Sequence, residues 1–200
     1  MMEKMMLFLV AGLLLMVSTT ALAVPLGSYS HNYGSASGQF DPGGNDALGN
    51  GYVTVSDHST NRFNDSFDFS GLNYSAIDHF DLTLIYSNTN GAPFNPEIWF
   101  ARPGGTPDQY TSFRLNSTGN SSVSQTFTVD SSLVPEFNQM VAAKNFFFWF
   151  AEDTYGADDF KLYSAKLSVD GTPVPEPGTM MLLGAGFLGL AVYGKRRKSA

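Results

Sequence analysis

Apolar residues recur at every second position along the interior of this chain, and a period of two builds strands rather than helices. Phe80, Leu82, Leu84 and Tyr86 alternate with Asp81, Thr83, Ile85 and Ser87, which reads as a strand with one strongly apolar face. Val123, Gln125, Phe127 and Val129 alternate in the same way with Ser124, Thr126, Thr128 and Asp130. Residues 52–55, 62–69, 97–101 and 110–115 are shorter runs of that kind. Turn clusters stand between them: Asp41-Pro42-Gly43-Gly44-Asn45, Asn90-Gly91 and Arg102-Pro103-Gly104-Gly105, whose Gly and Asn tolerate positive φ. Many short strands at regular spacing predict an all-β fold, a single antiparallel β-sandwich of jelly-roll kind.

Three departures from plain alternation carry further expectations. Phe146-Phe147-Phe148-Trp149-Phe150 is apolar on both sides of the pleat, so a central strand buried on both faces, or covered by a loop or helix, is expected there. Between Phe160 and Val169 the apolar parity changes, from Phe160 and Leu162 to Tyr163, Ala165, Leu167 and Val169. A β-bulge near Leu162 would return both sets to one inward face. Residues 135–143 alone look helical, with Pro135 in the first turn and Phe137, Met140 and Val141 three to four apart. No repeat of about 20 to 50 residues is apparent, against a solenoid or propeller.

Both ends of the chain read as addresses rather than as fold. Lys4 supplies a positive start, Met5 to Val17 an apolar stretch of 13 residues, and Ala21 and Ala23 the small residues that a signal peptidase reads. Residues 1–23 are therefore expected to be a cleaved signal helix. At the far end Pro175-Glu176-Pro177 is followed by an apolar run from Thr179 to Gly194 and then by Lys195, Arg196, Arg197 and Lys198. Such a basic block resists translocation and acts as a stop-transfer signal. The run of 16 residues would span about 24 Å as a helix, whereas a stable spanning helix uses about 20 residues. A short membrane helix over 179–194 suits a transient anchor. These assignments divide the chain into residues 1–23, a folded ectodomain over 24–172, and a sorting segment over 173–200.

The order of the C-terminal parts resembles the PEP-CTERM signal of Gram-negative bacteria, which combines a Pro-Glu-Pro tripeptide, a short membrane helix and an Arg-rich tail. That resemblance implies recognition by the membrane peptidase exosortase at Pro175, Glu176 and Pro177. It also implies an inner-membrane intermediate and delivery to the cell surface or extracellular polysaccharide.

Composition excludes several classes of function. The chain has no cysteine, which rules out disulfides, zinc–thiolate sites and thiol catalysis. Setting aside Glu3 and Glu176 from the 18 acidic residues, and Lys4 with the four tail cations from the 11 basic ones, leaves 16 acids against 6 bases and a net charge of −10. A domain so charged repels nucleic acid and favours divalent cations. His31, His58 and His79 lack metal-ligand spacing. Asp57-His58-Ser59 is no triad, because consecutive strand residues point to opposite faces. No glycine loop for phosphate and no nucleophile elbow is present, and a metal centre is not expected.

Two acidic groups are candidates for calcium, though neither follows EF-hand spacing. One comprises Asp41, Asn45 and Asp46, and the other Glu152, Asp153, Asp158 and Asp159. Trp99, Tyr110 and Tyr155 lie in or beside loops and are the candidates for a platform that stacks sugar rings. The expected function is that of a non-enzymatic, exported surface or matrix protein with a structural or adhesive role alongside exopolysaccharide. The alternative is a carbohydrate-binding module, calcium-stabilised in one version. A hydrolase would need two carboxylates facing each other about 5 to 10 Å apart across a cleft, and no spacing proposes such a pair.

Overall fold

In a computed structural model of the chain, residues 23–34, 42, 46–56, 62–90, 97–104, 111–132, 136–153, 159–175 and 177–198 are described. The elements run β1 (Val24–Asn32), β2 (Ala47–Leu48), β3 (Val53–Ser56), β4 (Asn64–Asp68), β5 (Tyr74–Ser87), β6 (Trp99–Pro103), β7 (Phe113–Arg114), β8 (Val123–Asp130), α1 (Phe137–Ala143), β9 (Asn145–Glu152), β10 (Asp159–Pro173) and α2 (Pro177–Lys198). The strands form two antiparallel sheets packed as a sandwich. The larger has the order β2-β3-β10-β5-β8, with β1 also paired to β10, and the smaller has the order β4-β9-β6-β7.

Aromatic rings from both sheets fill the space between them. Phe80 of β5 packs on Phe146 of β9 with centroids 5.2 Å apart, and Phe160 of β10 meets Phe150 of β9 at 5.0 Å. Phe127 of β8 meets Phe113 of β7 at 5.4 Å. Edge-on and tilted pairs of this kind add to the free energy of burying the rings themselves. The short helix α1 delivers Phe137 to the same core, 5.3 Å from Phe80. It ends where Lys144 takes a left-handed conformation at φ 53° and donates its N–H to the Met140 and Val141 carbonyls, a C-terminal stop usually given to Gly or Asn.

The expected bulge is present in β10. Leu162 faces Tyr86 and Ser164 faces Ile85, so Tyr163 is the extra residue. Phe160 and Leu162 before it, and Ala165, Leu167 and Val169 after it, are all buried. One additional residue thus keeps a long strand facing the core along its whole length. A second irregularity falls between Asp170 and Gly171, where the strand leans so closely on β5 that a Cβ on Gly171 would lie 2.2 Å from the Ala76 carbonyl oxygen.

The reading of residues 146–150 needs correction. Phe146, Phe148 and Phe150 are buried, but Phe147 and Trp149 keep part of their surface in solvent. The outer face of β9 carries no further protein layer among the described residues. Arginine side chains and the Gly104 backbone lie over Trp149 instead. The strand β1 gave little signal in sequence, because Pro25, Gly27, Ser28 and Ser30 blur its alternation; it is held by pairing with β10 from Val24↔Gly171 to Asn32↔Ser164.

The membrane-helix expectation over 179–194 is also corrected. A helix does form, from Pro177 to Lys198, yet among the described residues no helix is long and apolar enough to cross a membrane. Five glycines, at 178, 184, 186, 189 and 194, dilute its hydropathy, and its last turn is Lys195-Arg196-Arg197-Lys198. Met181, Leu182, Leu188 and Leu190 are exposed around it. The signal-peptide expectation, with Ala21 and Ala23, falls on residues outside those described.

Candidate functional site

Trp99 takes no part in a glycan platform. It is 1 % exposed, because its position in β6 points it between the sheets, where its ring meets Phe160 edge-on at 4.8 Å. Its indole N–H donates to Glu97 Oε2 at 2.9 Å, which satisfies the one polar atom that burial would otherwise strand. Tyr110 and Tyr155 lie outside the described residues.

The aromatic surface lies on the outer face of the smaller sheet. Asn64 of β4, Trp149 of β9 and Arg102 of β6 are register partners across three strands. In the next row Ala151, Phe100 and Arg114 are partners across β9, β6 and β7. Period-two alternation puts Phe100 with Arg102, and Phe147 with Trp149, on this one face. The Trp149 N–H donates to the Gly104 carbonyl at 3.2 Å and fixes the ring. The Arg102 guanidinium carbon lies 5.0 Å from the Trp149 centroid and 6.0 Å from that of Phe100. Arg62 approaches the same indole at 5.8 Å. These distances fall within the range of cation–π attraction, and Arg102 Nε also donates to Ser112 Oγ at 3.1 Å.

Arg62, Arg102 and Arg114 are all the arginines of residues 24–172. Three of the six basic groups of an otherwise acidic domain thus share one face. Among the described residues, neither Arg62 nor Arg114 forms an ion pair with a carboxylate. Sequence reasoning missed this surface because it assigned Trp149 to the core. The parity of Phe100-x-Arg102 was legible, but the lack of a covering layer among the described residues was not.

Of the calcium candidates, Asp46, Glu152, Asp153 and Asp159 fall among the described residues. Asp41, Asn45 and Asp158 lie outside the described residues. Asp46 Oδ1 accepts the Ser56 N–H at 2.9 Å, while Oδ2 is buried without a hydrogen-bond partner among the described residues. Burial pushes the Asp46 carboxyl up to about 6, against the downward pull of that hydrogen bond. Donor atoms converge elsewhere. His79, Asp81 and Asp170 present ligand atoms within 4.8 Å of one another on the outer face of the larger sheet. His79 Nε2 lies 3.8 Å from Asp81 Oδ2 and 3.9 Å from Asp170 Oδ2. Hydroxyls of Thr128 and Ser168 donate to these two carboxylates at 2.7 and 2.9 Å. The His-x-Asp spacing of residues 79 and 81 was the available sequence signal; Asp170 joins them only through the pairing of β5 with β10.

Of the remaining histidines, His58 lies outside the described residues. His31 stacks on Phe67 at 4.4 Å and reaches Asp65 at 2.8 Å, and its ring stays partly exposed.

The sorting segment continues directly from the fold. β10 ends at Pro173, two residues separate it from Glu176, which is outside the described residues, and α2 begins at Pro177. No curated protein matches the chain. Residues 173–198 match the PEP-CTERM protein-sorting motif; the chain carries this motif at its C-terminus, the mark of a protein exported and sorted to the cell surface by exosortase.

Proposed function

We propose that this protein is a non-enzymatic component of the cell surface or extracellular matrix, with a structural or adhesive role alongside exopolysaccharide. The sorting motif over 173–198 carries the reading. Signal peptidase would remove residues 1–23 during export, a boundary supported by the start of β1 at Val24. Exosortase would then act at Pro175-Glu176-Pro177. A domain of this size can hold together without disulfides through the burial of its aromatic core.

A second reading, a carbohydrate-binding module, is favoured by one observation: the partly exposed Trp149 and Phe100 beside arginines on the small sheet. Fractionation of producing cells tests the main reading. The protein is expected in the surface polysaccharide fraction, and the purified chain should release no reducing sugar from that material. Retention in the cell envelope without polysaccharide, or liberation of sugars, would overturn it.

A further inference from the structure

We propose that the outer face of the smaller sheet binds an acidic, carboxylate-bearing polysaccharide through Arg62, Arg102 and Arg114, held beside Trp149 and Phe100. The proposal deepens the surface-polysaccharide reading and rests on it for the identity of the partner. Charge complementarity carries it. The domain has a net charge of −10, so a polyanion is repelled by most of its surface. Its three arginines nevertheless share one face, and Arg62 and Arg114 lack ion-pair partners among the described residues. Guanidinium groups match carboxylates in a bidentate fork and are less strongly hydrated than ammonium groups.

The geometry suits an extended ligand. Arg62 flanks β4, Arg102 lies on β6 and Arg114 on β7, so the positive row crosses the whole four-stranded sheet. At about 4.8 Å between neighbouring strands it extends about 14 Å, enough to meet successive charges along one chain. Trp149 and Phe100 stand within the row. A sheet face with planar groups receives a linear sugar chain better than a protein partner, which would require a larger apolar centre to bind stably.

Retention of the full chain on immobilised polygalacturonate at low ionic strength tests the proposal. Binding is expected, with loss on added salt and no retention on neutral dextran. The double variant Arg62→Gln/Arg114→Gln should weaken it at least about tenfold, as the loss of two charge-assisted contacts implies. The charge-matched control Lys161→Gln/Lys166→Gln, placed on the larger sheet, should bind as the wild type does. Circular dichroism confirms that both variants fold. Failure to bind polygalacturonate, equal loss in the control, or tighter retention on DNA would each overturn the proposal. Because cell fractionation is independent of this column, the surface reading can stand when the site assignment fails.

Discussion

Tyr33 donates its phenolic proton to Asp65 Oδ2 at 2.5 Å, a hydrogen bond that joins the two sheets inside the sandwich. Tyr33 belongs to the larger sheet through its N–H bond to the Tyr163 carbonyl, and Asp65 sits in β4 of the smaller one. Both are buried. The Asp65 carboxylate also meets His31 Nδ1 at 2.8 Å and accepts the Ser66 N–H at 2.6 Å. Burial, the nearby Asp65 charge and the hydrogen bond itself, in that order, push the Tyr33 phenol well above its usual range. It remains a donor at any ordinary pH. A buried carboxylate is tolerated only with such partners.

Removing that donor should therefore be costly. Tyr33→Phe keeps the ring and its edge-on contact with Phe63, and is expected to lose about 1.5–3 kcal/mol, the range for a hydrogen bond to a charged group. Urea melts of wild type and variant check this. An unchanged midpoint would mean that Asp65 finds equal partners without the phenol.

The two faces of β9 should respond differently to truncation. Phe148 is fully buried and stacks against Phe67 at 6.1 Å, so Phe148→Ala should cost about 3–5 kcal/mol. Phe147 points outward and stays partly in solvent. Phe147→Ala should cost less than about 2 kcal/mol, given its smaller loss of buried area. Equal costs in denaturant melts would contradict the one-sided burial.

Asp46 gives a pH signature with a definite sign. Its folded pKa is about 6, raised above the roughly 3.9 of an unfolded aspartate. The folded state therefore holds the proton more tightly, and stability from this group falls as pH rises from about 4 to about 6. Asp46→Asn keeps an oxygen for the Ser56 N–H and removes the charge. The variant should melt at a higher temperature than wild type above pH 7 and at about the same temperature near pH 4. Stabilisation that is equal at both pH values would show that the Asp46 charge is not the cause.

Gly171 tests the close passage of β10 over β5. An alanine Cβ there would lie 2.2 Å from the Ala76 carbonyl oxygen and 2.9 Å from Ile77 Cα, both backbone atoms. Neither can move without shifting a central strand, so Gly171→Ala should destabilise by about 1–3 kcal/mol. Gly71 has open space around it, and Gly71→Ala is expected to be nearly silent. Similar melts for the two variants would count against the described register.

Much of this fold was legible because alternation is a local signal. Residues 80–87 and 123–130 each lie in a strand, and the parity change after Leu162 located a bulge, since one extra residue is the cheapest way to keep both apolar sets inward. What could not be read was anything depending on the second layer. Phe147 and Trp149 look as apolar as Phe146 and Phe148, and only the assembled sheets reveal which side is covered. Trp99 beside a turn looked available, yet its parity with Ala101 places it inward. The arginine row is likewise spread over three segments, from Arg62 to Arg114, that only strand order brings together. The sorting segment is the opposite case: its parts are consecutive, so its order alone identified it.

Intact mass of the protein recovered from the cell surface tests the sorting account most directly. The mature form should lack residues 1–23 and, in cells with exosortase, the chain beyond Pro177; in cells lacking exosortase the C-terminal segment should remain. Surface material from exosortase-proficient cells that still carries Lys195 to Ala200 would contradict the account.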